Sequence, residues 1–159
     1  MRKLRVGVLG VGEMGQRHAE HIRRFVPEAR LVAVADAAAE RAGKVASLLE
    51  IEHSYSSLDE LEAKEIDCIL IATPDKFHAS AIRAAAAAGK DILCEKPLAT
   101  TLTDASAVLE PITKAGVGLQ IGFMRRYDPA YAAAMKRLEA GDIGEPVIFK
   151  SIGPDNALE

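Results

Sequence analysis

Lys96 is the residue best placed for acid–base chemistry, because it stands in Glu95-Lys96-Pro97 directly after a short apolar run. A lysine cation at the end of a buried strand can orient a substrate hydroxyl and assist the removal of its proton. The alternative is an ordinary loop lysine beside a turn proline. His78, which follows Thr73-Pro74 after another apolar run, is a second candidate for a site, or an ordinary histidine at a helix start.

A glycine-rich segment, Gly10-Val11-Gly12-Glu13-Met14-Gly15, lies between a strand-like apolar run and a stretch with helical spacing. In that setting the first glycine permits a tight turn and the second lets the backbone approach a pyrophosphate. The third lets helix and strand pack closely. The helix N-terminus also offers free N–H groups and the positive end of its dipole to phosphates. The motif therefore predicts a nucleotide site.

Asp36 follows the second strand-like run, about 20 positions beyond the glycine segment, where an acidic residue can accept hydrogen bonds from both ribose hydroxyls of an adenosine. Its charge would repel a 2′-phosphate, so the sequence favours NAD over NADP. Arg41 would relax this preference, but it is expected to lie about a helical turn away. The alternatives are a helix N-cap role for Asp36 and a methyl-transfer cofactor, S-adenosylmethionine, in the glycine turn.

Strand-like and helical segments alternate along the chain, which predicts a parallel sheet with crossover helices. The fold class is therefore α/β, a doubly wound parallel sheet of the Rossmann type over residues 1–123. Residues 124–159 would form the first helix and strand of a second α+β domain. The predicted strands are residues 4–9, 30–35, 53–56, 67–72, 91–94, 117–122 and, in the second domain, 146–152.

Two helices carry predictions about individual side chains. The first helix, from Met14, places His18, Ile22 and Phe25 with Met14 on one apolar face, so His18 is expected to be a packing histidine. A later helix over residues 103–115 contains Pro111, which should kink or distort it.

The composition bounds the function: apolar residues make up 49% and charged residues 27%, which is typical of a globular domain. A net charge of −3 gives no basic surface for nucleic acid, and no apolar run is long enough for a membrane span. Cys68 and Cys94 are expected to be reduced, buried thiols. We expect a cytoplasmic protein that binds neither nucleic acid nor membrane, and no residue is predicted as a metal ligand.

Taken together, these motifs resemble the glucose–fructose oxidoreductase / inositol dehydrogenase / rhizopine catabolism family of NAD(P)-dependent oxidoreductases. The most specific match is Glu95-Lys96-Pro97, and residues 120–129 resemble the inositol 2-dehydrogenase branch. The other matching segments are residues 10–18, Ala35-Asp36, Ala72-Thr73-Pro74 with His78, and Gly89-Lys90.

The resemblance implies that Lys96 is the active-site lysine, aimed by a cis peptide before Pro97, and that the substrate is a polyol or sugar. It implies Arg125 and Arg126 near the nicotinamide end of the cofactor. The other implied dinucleotide contacts are Gly10, Gly12, Glu13, Met14, Gly15, Asp36, Thr73, Pro74, His78 and Glu95.

Family members are longer, and their second domain supplies an Asp-x-x-x-His pair that has no counterpart here. We therefore expect a fragment that binds NAD but turns over little substrate, and a homo-oligomer that pairs through the strand edge of residues 145–152. A stand-alone dinucleotide-binding or redox-sensing module is the alternative function.

Overall fold

Within residues 2–62 and 65–150, which the computed structural model describes, six short strands form one parallel sheet with helical crossovers. The strands are β1 (Leu4–Leu9), β2 (Ala29–Ala35), β3 (His53–Tyr55), β4 (Cys68–Ile71), β5 (Asp91–Cys94) and β6 (Leu119–Ile121). The helices are α1 (Glu13–Phe25), α2 (Ala39–Leu48), α3 (Leu58–Glu62), α4 (His78–Ala87), α5 (Leu102–Ala107), α6 (Leu109–Ala115) and α7 (Pro129–Glu139).

The strand order in the sheet is β3-β2-β1-β4-β5-β6, and every neighbouring pair is parallel. The chain moves outward in one direction from β1 to β3 and then crosses back to β4 on the other side of β1. This reversal opens a crevice beyond the carboxyl ends of β1 and β4, where open α/β sheets bind their ligands. The predicted Rossmann-type doubly wound sheet is confirmed.

Both faces of the sheet are buried, which explains why its strands are recognisable as continuous apolar runs. In β4, Ile69 and Ile71 belong to one apolar core, while Leu70 between them belongs to the other. The first core includes Ile82 of α4, and the second includes Val45 of α2. Each such side chain contributes roughly 2 kcal/mol by leaving water.

Two helices differ from the sequence prediction. Residues 103–115 form α5 and α6, with the break at Val108, because Pro111 has no N–H to donate to the carbonyl of Ala107. On α1 the predicted apolar face is wrong at its ends: Met14 is 48% exposed and Phe25 is 71% exposed. The buried residues of α1 are instead small, because the helix lies close to the sheet.

The chain divides into two units, residues 1–122 and residues 123–159. In the second unit, Asp128 caps α7 as predicted, since its Oδ1 accepts a hydrogen bond from the Ala130 N–H at 2.9 Å. The predicted strand over residues 146–152 is wrong for residues 146–150, which are irregular, and residues 151 and 152 lie outside the described residues. A strand needs a neighbour to pair with, and Val147, Ile148 and Phe149 are 84–90% exposed.

Across the described part of the chain, none of the helices combines the length and apolar character needed to cross a membrane.

Candidate functional site

The carboxyl ends of four adjacent strands lie in one row across the sheet. Leu9 of β1 pairs with Ala35 of β2 on one side and with Ile71 of β4 on the other, and Ile71 pairs with Cys94 of β5. The residue after each strand therefore lies at the same edge. These residues are Gly10, Asp36, Ala72 and Glu95.

The turn after β1 requires glycine at two positions. Gly10 has φ +82°, and a Cβ added there would lie 2.8 Å from the backbone of Ala72 and Thr73. A Cβ on Gly15 would overlap the carbonyl oxygen of Gly10, because the first turn of α1 packs directly on the turn that precedes it. These contacts are the tight turn and the close helix–strand packing that the motif predicts.

Gly12 is different, because the protein itself gives no reason for a glycine there. Its φ is −65°, and a Cβ added to it would meet no atom within 4 Å. Gly12 is the N-cap of α1, and no side chain caps the helix, so the N–H groups of its first turn face this open space. The space and the donors fit the phosphates of a dinucleotide.

Asp36 connects the end of β2 to the glycine turn. Its buried carboxylate accepts hydrogen bonds from the Val11 N–H at 2.9 Å and the Ala38 N–H at 2.9 Å. The guanidinium of Arg41 donates a third, at 3.2 Å. A carboxylate has about four lone-pair positions, so these three bonds leave one for a ribose hydroxyl.

The contact between Arg41 and Asp36 corrects the expectation that Arg41 lies a turn away. The Arg41 side chain is 53% exposed, so its guanidinium is also accessible to a ligand at this edge. A cation here offsets part of the repulsion that Asp36 would exert on a 2′-phosphate. The sequence placed Arg41 too far because Asp36 precedes α2, and residues outside a helix do not follow its spacing.

Thr73 and Pro74 follow β4 at the same edge. The hydroxyl oxygen of Thr73 is buried and has no hydrogen-bond partner among the described residues. Leaving a buried hydroxyl unpaired costs about 1–3 kcal/mol, so such an atom is expected to have a partner in the working protein. A polar group of a bound dinucleotide would supply one.

Glu95 is held by two groups at the end of β5. One carboxylate oxygen lies 2.7 Å from Nε2 of His18, and the other accepts the Lys96 N–H at 3.1 Å. His18 is on α1, so this pair joins the glycine-turn helix to the Lys96 segment. His18 was predicted to be a satisfied packing histidine: its ring is satisfied, by Glu95, but it is not packed in the apolar core, since the side chain is 30% exposed. Its position three residues after Gly15, on the helix that starts at the glycine turn, was the available signal.

Lys96 is exposed, and its ammonium group makes no hydrogen bond or ion pair with any residue that the structure describes. Its backbone is fixed by the Glu95 carboxylate, and the Lys96–Pro97 peptide is cis, as the resemblance implied. A fixed backbone with an unpaired cation is suited to bind a hydroxyl or a developing alkoxide.

His78 begins α4, and its ring is fully buried between the loops after β4 and β5. Nε2 lies 2.8 Å from the carbonyl oxygen of Thr73, and Nδ1 lies 2.6 Å from that of Pro97. This geometry argues against the predicted direct contact between His78 and a dinucleotide, since both ring nitrogens are engaged and the ring is inaccessible.

The remaining predicted contacts are exposed side chains. Met14 is half-exposed on the first turn of α1, and Glu13 beside it pairs with Arg17 at 2.8 Å. In the second unit, Arg125 and Arg126 lie in a 3-10 turn over Met124–Arg126. Arg125 packs over the ring of Tyr131 in the same unit at 5.1 Å. The cofactor roles of these four side chains stay predictions.

Burial sets the chemistry of the two thiols in the sheet. Desolvation raises the pKa of Cys68 to about 11, and the charge of Asp91 adds to this. Desolvation likewise raises the pKa of Cys94 to about 12, with the carboxylates of Glu95 and Asp75 adding to it. Both cysteines are free, and these raised pKa values keep both as thiols rather than reactive thiolates near neutral pH. Among the described residues, no group of three or more His, Cys, Asp or Glu side chains is placed to hold a metal ion.

A groove of about 890 Å³ lies at the opposite edge of the sheet, beside the amino ends of the strands. Its lining includes Lys3, Arg5, Phe25 and Arg30, and it contains none of the predicted site residues.

Comparison with known proteins gives a family match over most of the chain. Residues 4–123 match the model of the oxidoreductase family with an NAD-binding Rossmann fold, GFO_IDH_MocA. The chain is 43% identical over 154 residues to scyllo-inositol 2-dehydrogenase (NAD(+)) of Bacillus subtilis, covering 96% of this chain and 45% of the relative. It is 41% identical over 149 residues to inositol 2-dehydrogenase of Rubrobacter xylanophilus, covering 93% and 43%.

Solved structures give the same result. The scyllo-inositol dehydrogenase of Lactobacillus casei with bound NAD(H) and scyllo-inositol has a TM-score of 0.87 at 27% identity, covering 91% of this chain and 43% of that chain. The myo-inositol dehydrogenase of the same organism, in complex with NAD(H) and myo-inositol, has a TM-score of 0.86 at 32% identity, covering 91% and 44%. The chain thus spans less than half the length of the relatives it matches.

Proposed function

The chain belongs to the GFO_IDH_MocA oxidoreductase family, and we propose that its NAD-binding domain serves a dehydrogenase acting on a polyol or sugar of the inositol type. The reaction is hydride transfer between a substrate hydroxyl carbon and NAD. The observation that carries the proposal is the row of strand ends, which brings the glycine turn, Asp36, Thr73 and the Lys96 segment to one edge.

The geometry of this edge supports three groups of cofactor contacts. The N–H groups at the start of α1 bind the phosphates in the open space beside Gly12. The Asp36 carboxylate accepts a hydrogen bond from a ribose hydroxyl. The unpaired hydroxyl of Thr73 contributes one more polar contact. When bound, the nicotinamide supplies the hydride acceptor.

Lys96 acts on the substrate hydroxyl. Its ammonium group donates a hydrogen bond to the hydroxyl oxygen and stabilises the negative charge that develops there while the proton passes to the Asp-x-x-x-His pair that the family's second domain supplies and the hydride passes to NAD. Glu95 holds the backbone N–H of Lys96 and is itself held by His18, so the backbone from which the lysine side chain extends has a fixed position. This arrangement lowers the cost of orienting the lysine before the reaction.

Two observations support a polyol or sugar of the inositol type as the substrate. The motif Glu95-Lys96-Pro97 follows β5 at the same edge as the proposed cofactor contacts, and the relatives named above are inositol dehydrogenases. NAD is the family's cofactor, and we propose that it is preferred over NADP because Asp36 is buried beside the glycine turn. The contact of Arg41 with Asp36 weakens that preference.

A homo-oligomer remains part of the proposal. In the second unit, Val147, Ile148 and Phe149 are consecutive and 84–90% exposed, which is unusual for apolar side chains of a monomer. They support association of copies through residues 145–150. Light scattering over a wide concentration range tests this: a monomer throughout would contradict it.

We also propose a cytoplasmic location, supported by two free thiols, the half-buried Cys68 and the buried Cys94, which reducing compartments preserve. Fractionation of the source cells tests this prediction, since recovery in a secreted or periplasmic fraction would contradict it.

The proposed activity is tested in the product of the complete open reading frame. NADH formation from myo-inositol and scyllo-inositol is expected, and Lys96→Met should reduce kcat by about 100-fold or more while leaving NAD binding nearly unchanged. Lys44→Met is the matched control, because Lys44 is an exposed residue of α2 that pairs with Glu40, away from the carboxyl ends of the strands. Tight NAD binding without turnover of any polyol or sugar would favour the redox-sensing alternative instead.

A further inference from the structure

The groove beside the amino ends of β1, β2 and β3 carries more positive than negative charge, although the chain as a whole has a net charge of −3. Five cationic side chains and three carboxylates line it. The cations are those of Lys3, Arg5, Arg23, Arg24 and Arg30. This excess lies at the edge of the sheet opposite to the proposed dinucleotide site.

The carboxylates of the groove neutralise only part of this charge. Glu65 accepts a hydrogen bond from Arg5 at 2.6 Å, and Glu50 lies 3.7 Å from the guanidinium of Arg23. The side chain of the third, Glu52, is 78% exposed, so water solvates its charge. The carboxylates of the groove are therefore paired with Arg5 and Arg23, and the other three cations remain.

Two of these three cations have no counter-charge in the protein. Arg24 pairs with Glu20 on α1 at 3.2 Å. Lys3 and Arg30 are exposed, and neither side chain makes a hydrogen bond or an ion pair with any residue in the parts of the chain that the structure describes. Both are therefore available to an anion from outside the protein.

The position of Arg30 in the sheet adds to its need for an anion. Arg30 of β2 is the register partner of Arg5 of β1, and like charges on neighbouring strands repel each other. Arg5 is compensated on its other side, because the carboxylate of Asp67 accepts its guanidinium N–H at 2.9 Å. Arg30 has no such neighbour, so a bound anion would relieve the repulsion.

The groove also has an apolar wall. Phe25, in the last turn of α1, is 71% exposed, and Val26 and Pro27 follow it in the lining. The ring of His21 meets Phe25 edge-on, with the ring centroids 5.8 Å apart. A large exposed ring beside unpaired cations fits a ligand that combines a planar ring with negative charge.

We propose that this groove is a nucleotide site separate from the glycine turn, in which Arg30 and Lys3 bind a terminal polyphosphate and Phe25 packs against the base. The guanidinium fork of Arg30 suits phosphate oxygens, and Lys3 adds a point charge. A base of any sequence offers a flat ring for stacking. The pyrophosphate bridge of a dinucleotide carries less charge than a terminal triphosphate, so the groove favours nucleoside triphosphates over NAD.

The proposal is tested by isothermal titration of the 159-residue chain with ATP as the probe. Arg30→Gln should weaken ATP binding by about 10-fold, because one charge-assisted contact to phosphate is lost. Phe25→Ala should weaken it by about 5-fold, and inorganic triphosphate should bind more weakly than ATP by a similar factor, because stacking is lost in both cases. Arg137→Gln is the matched control, since Arg137 is a 75% exposed arginine on α7.

The place of binding is read from the amide signals of the wild-type chain, which requires no variant to fold. ATP should shift the signals of residues 25–30. Absence of ATP binding, shifts confined to the glycine turn, or equal effects of Arg30→Gln and Arg137→Gln would overturn the proposal.

Gly12→Ala separates this site from the proposed cofactor site. ATP should still shift residues 25–30 in Gly12→Ala, and NAD affinity should be unchanged in Arg30→Gln. ATP binding that Gly12→Ala abolishes and Arg30→Gln leaves intact would overturn the groove site while supporting the glycine turn. ATP binding that depends on Arg30, in a chain that does not bind NAD, would support the groove site and contradict the proposed function alone.

Discussion

Nε2 of His18 lies 2.7 Å from Oε1 of Glu95, so the helix that begins at the glycine turn is tied to the strand that leads into Lys96. The second oxygen of Glu95 accepts the Lys96 N–H, which extends this connection to the backbone of the proposed active-site residue. This pair of side chains thus joins the segment proposed to bind the phosphates to the segment proposed to carry the reaction.

Removing His18 should therefore weaken both halves. His18→Ala leaves the mostly buried carboxylate of Glu95 without one of its donors, which should lower the free energy of unfolding by about 1–3 kcal/mol and weaken NADH binding several-fold. Thermal unfolding and NADH fluorescence titration measure the two effects. His21→Ala, on an exposed part of the same helix, is the matched control. Equal effects of the two substitutions would show that the His18–Glu95 pair has no special role.

The glycines of the turn should separate folding from binding. Gly15→Ala should prevent the native turn from forming, because the added Cβ overlaps the carbonyl oxygen of Gly10. Gly12→Ala meets no protein atom, so it should fold with a loss of about 1 kcal/mol at the N-cap and bind NAD at least 10-fold more weakly. Gly43→Ala, at an open position within α2, should be stabilised by about 0.5–1 kcal/mol with NAD affinity intact. Unchanged NAD affinity in Gly12→Ala would mean that phosphates bind elsewhere.

Cofactor preference should respond to Arg41. Because its guanidinium lies against Asp36, Arg41→Gln removes the cation that offsets repulsion of a 2′-phosphate. We expect NADP affinity to fall by about 5- to 10-fold, which corresponds to an exposed charge pair of about 1 kcal/mol, while NAD affinity changes less than 2-fold. Calorimetric titration of both cofactors measures the ratio. If the affinities for NAD and NADP fell equally, Arg41 would act only by holding Asp36 in place, and not by attracting a 2′-phosphate.

Acid stability should depend on Asp67, at the other edge of the sheet. Hydrogen bonds from Arg5, including its backbone N–H at 2.8 Å, lower the pKa of Asp67 well below its usual range. In the unfolded chain the pKa of Asp67 is about 3.9, which is higher than its pKa in the folded protein. The stabilisation that the charged carboxylate provides is therefore fully present above about pH 5 and is lost as pH falls below 4. Asp67→Asn should cost about 1 kcal/mol at neutral pH and converge with the wild type in acid. Glu65→Gln, at a 92% exposed side chain, should cost less. A pH-independent difference would contradict this account.

Most of the fold could be predicted from the sequence, because strands such as β4 are buried on both faces and therefore apolar throughout. Gly10 and Gly15 were equally predictable from the glycine motif, because a positive φ at Gly10 and the overlap of a Gly15 Cβ with the Gly10 carbonyl both arise within the same turn. What the sequence did not reveal depends on distant contacts. His18 reaches Glu95 across 77 positions of chain, and helical periodicity could only place it on a face.

Two other predictions failed for related reasons. Phe25 continued the apolar spacing of α1, but it lies in the last turn and is exposed there. Residues 146–150 have the composition of a strand, but a strand forms only where a neighbour offers its backbone groups. Neither the end of an apolar face nor the presence of a pairing partner is encoded in the spacing of apolar residues.

The central claim is that the edge formed by Gly12, Asp36 and Thr73 binds NAD. Isothermal titration of the chain with NAD, NADP and S-adenosylmethionine tests it most directly, with Gly12→Ala as the matched variant. We predict one NAD site per chain, weaker binding of NADP, no heat from S-adenosylmethionine, and loss of NAD binding in Gly12→Ala. Absence of NAD binding to the folded wild-type chain, or tighter binding of S-adenosylmethionine than of NAD, would contradict the account.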